Sequence, residues 1–216
     1  MTRMRNPAVV AALLALLGNP MHAGAEEDTA TAAWHPQRVI TADFAFSVHA
    51  TVDEDERYAV DAIRIVDRKT GAVVQEIEHV DAMAASGTPD ELLFLVDADA
   101  DSSPDLSLPI SAGGMGPNVS TNIYLFSTHS GLFELHEQLS ELDSPAIGQD
   151  GTIITRSRDS DFNYQYASYR LEHGKLKLIG ESSESSAQNG DLVIRSRQRV
   201  RGKWRSSTKR VRQSDQ

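Results

Sequence analysis

The chain has 216 residues, 31 acidic against 21 basic for a formal net charge of −10, and no cysteine. The acidic balance argues against nucleic acid as a partner, because phosphate binding rests on lysine and arginine. The missing cysteines exclude a disulfide framework, a thiolate zinc site and a cysteine nucleophile, so stability must come from burial or from a bound ion.

In chain order, Arg3 and Arg5 precede an uncharged apolar run from Ala8 to Leu17, then Gly18-Asn19-Pro20 and the small-x-small triplet Ala23-Gly24-Ala25. This is the order of a secretory signal peptide, predicted over residues 1–25 and cleaved before Glu26. The apolar run is too short for a membrane anchor. The expected location is therefore the periplasm, with no membrane attachment after cleavage. Residues 26–40 show no firm period and read as a flexible lead-in to a single β domain over residues 41–216.

Phe44, Phe46, Val48, Ala50 and Val52 alternate with polar or small residues, the period of a half-buried strand. Ala62 to Val66 and Ala72 to Ile77 read as two more strands, joined by an Asp67–Gly71 hairpin turn. Glu91 to Val96 reads as a buried strand that feeds an acidic loop. Gly113 to Gly116 must be irregular. Ile123–Phe126 and Leu132–Leu135 are strands around a turn at Ser127–Gly131, and His136 to Leu142 is a short helix or turn before Pro145. Thr152–Ser157, Tyr164–Leu171 and Lys175–Ile179 are further strands, with a tight turn at Glu172-His173-Gly174. A Ser-rich loop, Ser182 to Asn189, precedes a last pair around Arg201-Gly202. Short strands with frequent turns predict an all-β fold, an antiparallel two-sheet sandwich or a propeller-like assembly.

The strongest chemical signal is Asp97 to Leu106. Carboxylates stand at Asp97, Asp99, Asp101 and Asp105, positions one, three, five and nine of a loop. A curled backbone can aim such alternate side chains at one centre, and the Ser103 carbonyl at position seven can join them. Calcium takes six to eight hard oxygens, so the predicted cofactor is calcium. Leu108 stands where an EF-hand carries its bidentate glutamate, and the flanks read as strands, so this is not an EF-hand. Ser102 stands at position six, where such loops favour glycine, which predicts a strained turn or a reduced affinity for the ion.

Several features taken in order carry a family resemblance: the acidic loop, Gly113 to Gly116, Asn122 to Phe126, Ser130 to Phe133, Glu137 to Pro145, Ile154 to Arg158 and Tyr169 to Ile179. Over Leu92 to Ile179 the chain resembles the periplasmic immunity proteins of Xanthomonadaceae. These inhibit peptidoglycan glycohydrolase effectors delivered by a bacterial-killing type IV secretion system. That family is similar to the periplasmic inhibitors of i-type lysozyme, and its acidic loop is similar to the calcium loop of FG-GAP modules. The resemblance implies a non-enzymatic inhibitor whose partner is a secreted glycohydrolase or lysozyme. It places the contact at the segment before the last tyrosine strand. The chain departs from the family at Ser102 and at Asp159–Asn163, where glycines are usual.

That segment comprises Ser157, Arg158, Asp159, Ser160, Asp161, Phe162, Asn163 and Tyr164. A glycosidase cleft is lined by acidic catalytic groups and sugar subsites. Arg158 could pair with a catalytic carboxylate, serines could replace sugar hydroxyls, and Phe162, Tyr164 or Tyr166 could anchor the rim. By alternation Tyr164 and Tyr166 share one strand face, which equally suits packing. Further on, Arg195, Arg197, Arg199, Arg201 and Lys203 share a parity opposite Ile194, Val200 and Trp204, which reads first as a charged edge face that resists aggregation and second as a cationic strip for an acidic partner or the anionic cell wall. No hydrolase elbow, zincin pattern or phosphate loop is present, so no catalytic residue is assigned. The alternative reading is a calcium-dependent glycan-binding or cell-surface adhesion module.

Overall fold

Alternation along Phe46, Val48 and Ala50 buries one face of β2 (Phe44–Val52), and the rest of the first sheet assembles on it. The computed structural model describes residues 32–53, 57–84, 88–111, 119–160 and 163–212. The first sheet runs β1 (Ala33–Ile40), β2, β3 (Tyr58–Asp67) and β4 (Val73–Ile77), with β5 (Ala82–Met83) also on β3. The β3–β4 turn is set by Asp67, whose Oδ1 accepts from the Lys69 and Thr70 amides, while Gly71 takes φ 71°. The second sheet runs β6 (Phe94–Val96), β7 (Asp105–Ser111), β8 (Val119–Ser127) and β9 (Leu132–Leu135). After the short helix α1 (Glu137–Ser140) comes the third sheet: β10 (Ala146–Ile147), β11 (Ile153–Ser160), β12 (Asn163–Glu172), β13 (Lys175–Ser186), β14 (Leu192–Val200) and β15 (Lys203–Val211). Every named pairing is antiparallel between neighbours.

The second sheet lies between two cores. Tyr124 and Phe126 of β8 join the first core, with Phe46, Ile63 and Ile65 of the first sheet. Ile123 and Leu125 join the second, with Leu139 of α1 and Ile153 and Tyr169 of the third sheet. This is the period of two, with both faces of one strand buried. Rings of Phe44, Phe46, Phe126 and Phe133 meet with centroids 5.0–5.9 Å apart, in the tilted and edge-on geometries that aromatic pairs prefer.

Two glutamine side chains stitch the first sheet to its surroundings. Gln37 is buried, and its Oε1 accepts from the Leu92 and Leu93 amides at 2.8 and 3.1 Å. Its Nε2 donates to the carbonyls of His35 and Pro89. Gln75 does the same for Phe133, taking its amide and bonding its carbonyl, both at 2.8 Å. Each glutamine thus meets backbone groups that would otherwise be buried and unpaired.

The all-β expectation holds, and the antiparallel strands form three sheets. Two local readings change. Residues 33–40, read as lead-in, form β1, because its hold comes from Gln37 and from pairing with β2 and not from apolar alternation. Ser182–Ser186, read as loop, continues β13, because β12 and β14 pair with it on both sides despite its serines. The predicted signal peptide and Gly113–Gly116 lie outside the described residues. No helix among the described residues is long and apolar enough to cross a membrane.

Gln37→Leu keeps the bulk and removes the acceptor for two buried amides. It should cost about 2–4 kcal/mol in urea unfolding, since each stranded buried donor costs about 1–3 kcal/mol. A change under half a kcal/mol would show that the amides find other partners.

Candidate metal centre and hairpin tip

The acidic loop begins where β6 ends and closes where β7 starts. Asp105, the first residue of β7, is 1% exposed and fixes both ends. Its Oδ2 accepts from the Ala98 amide and its Oδ1 from the Phe126 amide, both at 2.8 Å. Ala98 is itself fully buried in the second core, so the loop is pinned by a carboxylate on one side and an apolar contact on the other. Ala100 and Ser102 take φ 58° and 70°, so Ser102 adopts the left-handed backbone anticipated at position six. Gly151, in the β10–β11 turn, has φ 70°, and a Cβ there would fall 2.6 Å from the Ala100 Cβ. Glycine is therefore what lets that turn lie against the loop. Asp150 beside it faces Thr152 and Arg170 and stays outside the cluster.

Asp97, Asp99 and Asp105 each bring one oxygen within 4.8 Å of the others. Asp101 does not join them; it is exposed, and its Oδ1 accepts from the Ser103 amide at 2.6 Å, which turns it into a brace of the loop. Asp99 likewise accepts from the Asp101 amide, and Asp97 Oδ2 from the Ser102 amide, each at 3.2 Å. Asp97 Oδ1 is buried and has no hydrogen-bond partner among the described residues. A buried carboxylate oxygen without a donor is costly, and a cation is the partner that removes the cost. The donor set, hard carboxylate oxygens in a strand-flanked loop, fits a divalent metal of the calcium or magnesium kind. Ser103 lies beside Asp97 in a shallow cleft of about 400 Å³ that reaches Gly148 and Gln149, so the loop is open to solvent on that flank.

The electrostatics agree with the geometry. Burial raises the Asp99 carboxyl above its ordinary value, and the Asp101 and Asp97 charges add to the rise. Burial likewise pushes Asp105 up to about 6, against the two amide bonds that favour its charge. Loss of water outweighs hydrogen bonding here.

The second predicted site is not a loop. Ser157 to Ser160 belong to β11, and Asn163 and Tyr164 to β12, so the segment is the end of a β-hairpin. Arg158 pairs with Tyr164 and Ser160 with Asn163, with a register shift between them. Asp161 and Phe162 lie outside the described residues, as do the side chains of Asp159 and Ser160. Tyr164 and Tyr166 do share a face, and Arg156 and Arg158 share it with them. The Arg156 and Arg158 guanidinium carbons lie 4.5 and 5.8 Å from the Tyr164 ring centroid. Arg156, which sequence reasoning left out, is thus part of this platform; its one signal is a parity shared with Arg158.

The C-terminal face also changes. Arg201 falls in the β14–β15 turn, which reverses the parity beyond it. Trp204 pairs with Arg199 on the arginine face, and Lys203 pairs with Val200 on the other. Arg197 then lies 4.9 Å from the Trp204 ring and bonds Glu181.

In the ion-free protein Asp105 keeps its proton to about pH 6, whereas an unfolded chain releases it near 3.8. The unfolded state ionises first, so stability falls as pH rises from about 4 to about 6, by about 3 kcal/mol from this group. Carboxyl NMR in chelator should place the Asp105 titration near 6, and a midpoint near 4 would contradict the burial argument.

Comparison with known proteins is sparse at the level of sequence. No family model matches the chain, and no curated protein matches it. Among solved structures, a Xanthomonas type IV secretion system related protein superposes with a TM-score of 0.62 at 14% identity, over 84% of this chain and 95% of that one. A protein of unknown function from Bacteroides fragilis aligns at a TM-score of 0.31 and 9% identity, over 77% and 90% of the two chains, a likeness too weak to argue from. The chain therefore shares the fold of the Xanthomonas protein over nearly all of that protein's length.

Proposed function

We propose that this chain is a periplasmic immunity-type inhibitor of a peptidoglycan glycohydrolase effector or lysozyme, braced by one calcium ion and without enzymatic activity of its own. The observation that carries the reading is the end of the β11–β12 hairpin, where Arg156 and Arg158 flank the Tyr164 ring. A strand-held tip loses less entropy on binding than a loose loop. A glycohydrolase cleft centres on a pair of carboxylates, and an arginine presented on such a tip meets them with charge-assisted hydrogen bonds. The shared fold of a type IV secretion related protein supports the same reading.

Calcium enters as a structural ion. Asp97, Asp99 and Asp105 would hold it, with the Ser103 carbonyl and a rotated Asp101 as further oxygens. The ion supplies the positive charge that three neighbouring carboxylates and the unpaired Asp97 Oδ1 call for. Because it binds the folded chain, millimolar calcium should raise the melting temperature, and Asp99→Ala should remove most of the rise. Absence of binding in calorimetry at millimolar calcium would refute the ion site.

Inhibition is tested with a secreted peptidoglycan glycohydrolase in a cell-wall lysis assay. Arg158→Ala with Ser160→Ala should weaken inhibition well over tenfold, because a desolvated charge contact is worth about 2–5 kcal/mol. Melting temperature and calcium binding should stay unchanged. Full inhibition by the double variant would remove the hairpin tip from the contact. Binding to peptidoglycan itself, without inhibition, would favour the glycan-binding alternative.

A further inference from the structure

We propose that the free edge of β15 is a docking strand for an extended, acidic segment of a partner protein. Among the described residues β15 closes the third sheet and pairs only with β14, so its outer side carries backbone donors and acceptors that no described strand pairs, along nine residues. Lys203 to Arg210 are all exposed. Such an edge accepts an added strand.

The charge says which strand. From Arg195 to Arg212 the chain has nine Lys or Arg residues and no Asp or Glu, although it carries 31 acidic residues in all. Lys203, Arg205, Lys209 and Arg210 form no ion pair among the described residues, and they point to both faces of the strand. An incoming strand with carboxylates on either face thus meets a cation. On one face Arg195 and Arg197 line a groove of about 680 Å³ with Ser206 and Thr208; Glu181 of β13, which holds Arg197, and Glu141 and Asp143 line it too, so the carboxylates of the added strand would meet Arg195 and the hydroxyl donors. Trp204, 41% exposed and stacked on Arg197, gives the same face an apolar anchor.

Other occupants fit less well. Two β15 edges placed side by side would set lysine and arginine against each other, so a second copy is repelled. An anionic polysaccharide satisfies the charge but has no donors and acceptors at strand spacing. A polypeptide satisfies both. The other edges are poorer: β10 has two residues, β6 three and β9 four, β4 is short and spends Gln75 on Phe133, and β1 has a register shift between Pro36 and Ile40 and gives its Arg38 amide to the Asp90 carbonyl. The proposal holds whether or not the hairpin tip enters an enzyme cleft.

The test uses the full mature chain with three probes: a peptide of about ten residues alternating glutamate and threonine, its lysine–threonine counterpart, and heparin. Titration calorimetry measures affinity, and hydrogen exchange measures amide protection. The glutamate peptide should bind at least about tenfold tighter than the lysine peptide and weaken as salt rises. It should slow exchange of the 203–211 amides and leave the β4 amides unchanged. Arg205→Glu with Lys209→Glu should lower the affinity at least about tenfold at an unchanged melting temperature. Binding of the glutamate peptide without protection in β15 would overturn the proposal. So would heparin binding tighter than the peptide, which would make the patch a polyanion surface, or β15 protection in a dimer formed without peptide.

Discussion

The Asp105 carboxylate is the point on which the loop, the second sheet and the candidate metal centre all depend. It sits at the first residue of β7, buried, with one oxygen on the Ala98 amide and the other on the Phe126 amide. One bond ties the loop's entrance to its exit, and the other ties both to β8. Burying a charge costs several kcal/mol unless hydrogen bonds or counter-charge offset it. Two amides supply part of the offset, and the raised proton affinity shows that they do not supply all of it. The buried, unpaired oxygen of Asp97 a short way off has the same deficit. A cation between them would answer both, and the candidate site would then join the loop to β7 and β8 as much as bind an ion.

A second constraint acts at the seams. Strands at the edge of a twisted sheet leave amides and carbonyls that water cannot reach once another sheet packs over them. Here glutamine amides complete those ladders, Gln37 toward Leu92 and Leu93, Gln75 toward Phe133. The first and second sheets are thus joined by polar clasps as well as by the aromatic cluster around Phe133. Beyond the second core the sheet thins out: β14 is mostly half-buried to exposed, and β15 is exposed along nearly its whole length. The sheet there is held by its ladder and by the Arg197 contacts, not by a hydrophobic layer.

Much of this was legible in the sequence where one face of an element is apolar and the other polar. β2 and β9 match their predicted bounds, and the turns at Gly71, Gly131 and Gly174 all take positive φ. The acidic loop was legible from spacing alone, but spacing could not say that Asp101 turns to Ser103 and leaves three carboxylates together. β1 escaped notice because what fixes it is a side chain reaching residues more than fifty positions away. The Ser-rich half of β13 escaped because its own residues have little β preference and the neighbouring strands decide its conformation. The two strands of the β11–β12 hairpin were legible but their length was not, and parity read through the β14–β15 turn misplaced Trp204, since a two-residue turn restarts the count.

β8 has a consequence for how the molecule comes apart. A strand whose alternate side chains serve two different cores cannot leave one without exposing the other. Ile123 and Tyr124, adjacent in sequence and both buried, couple the first and third sheets mechanically. Loss of either flanking sheet strips half the burial from the central strand, so opening of the body spreads through all three layers as one cooperative unit. The outer hairpin of β14 and β15 is exempt, because little of it reaches either core. It forms a separate, weaker unit that can breathe and re-form while the double-cored body keeps its shape.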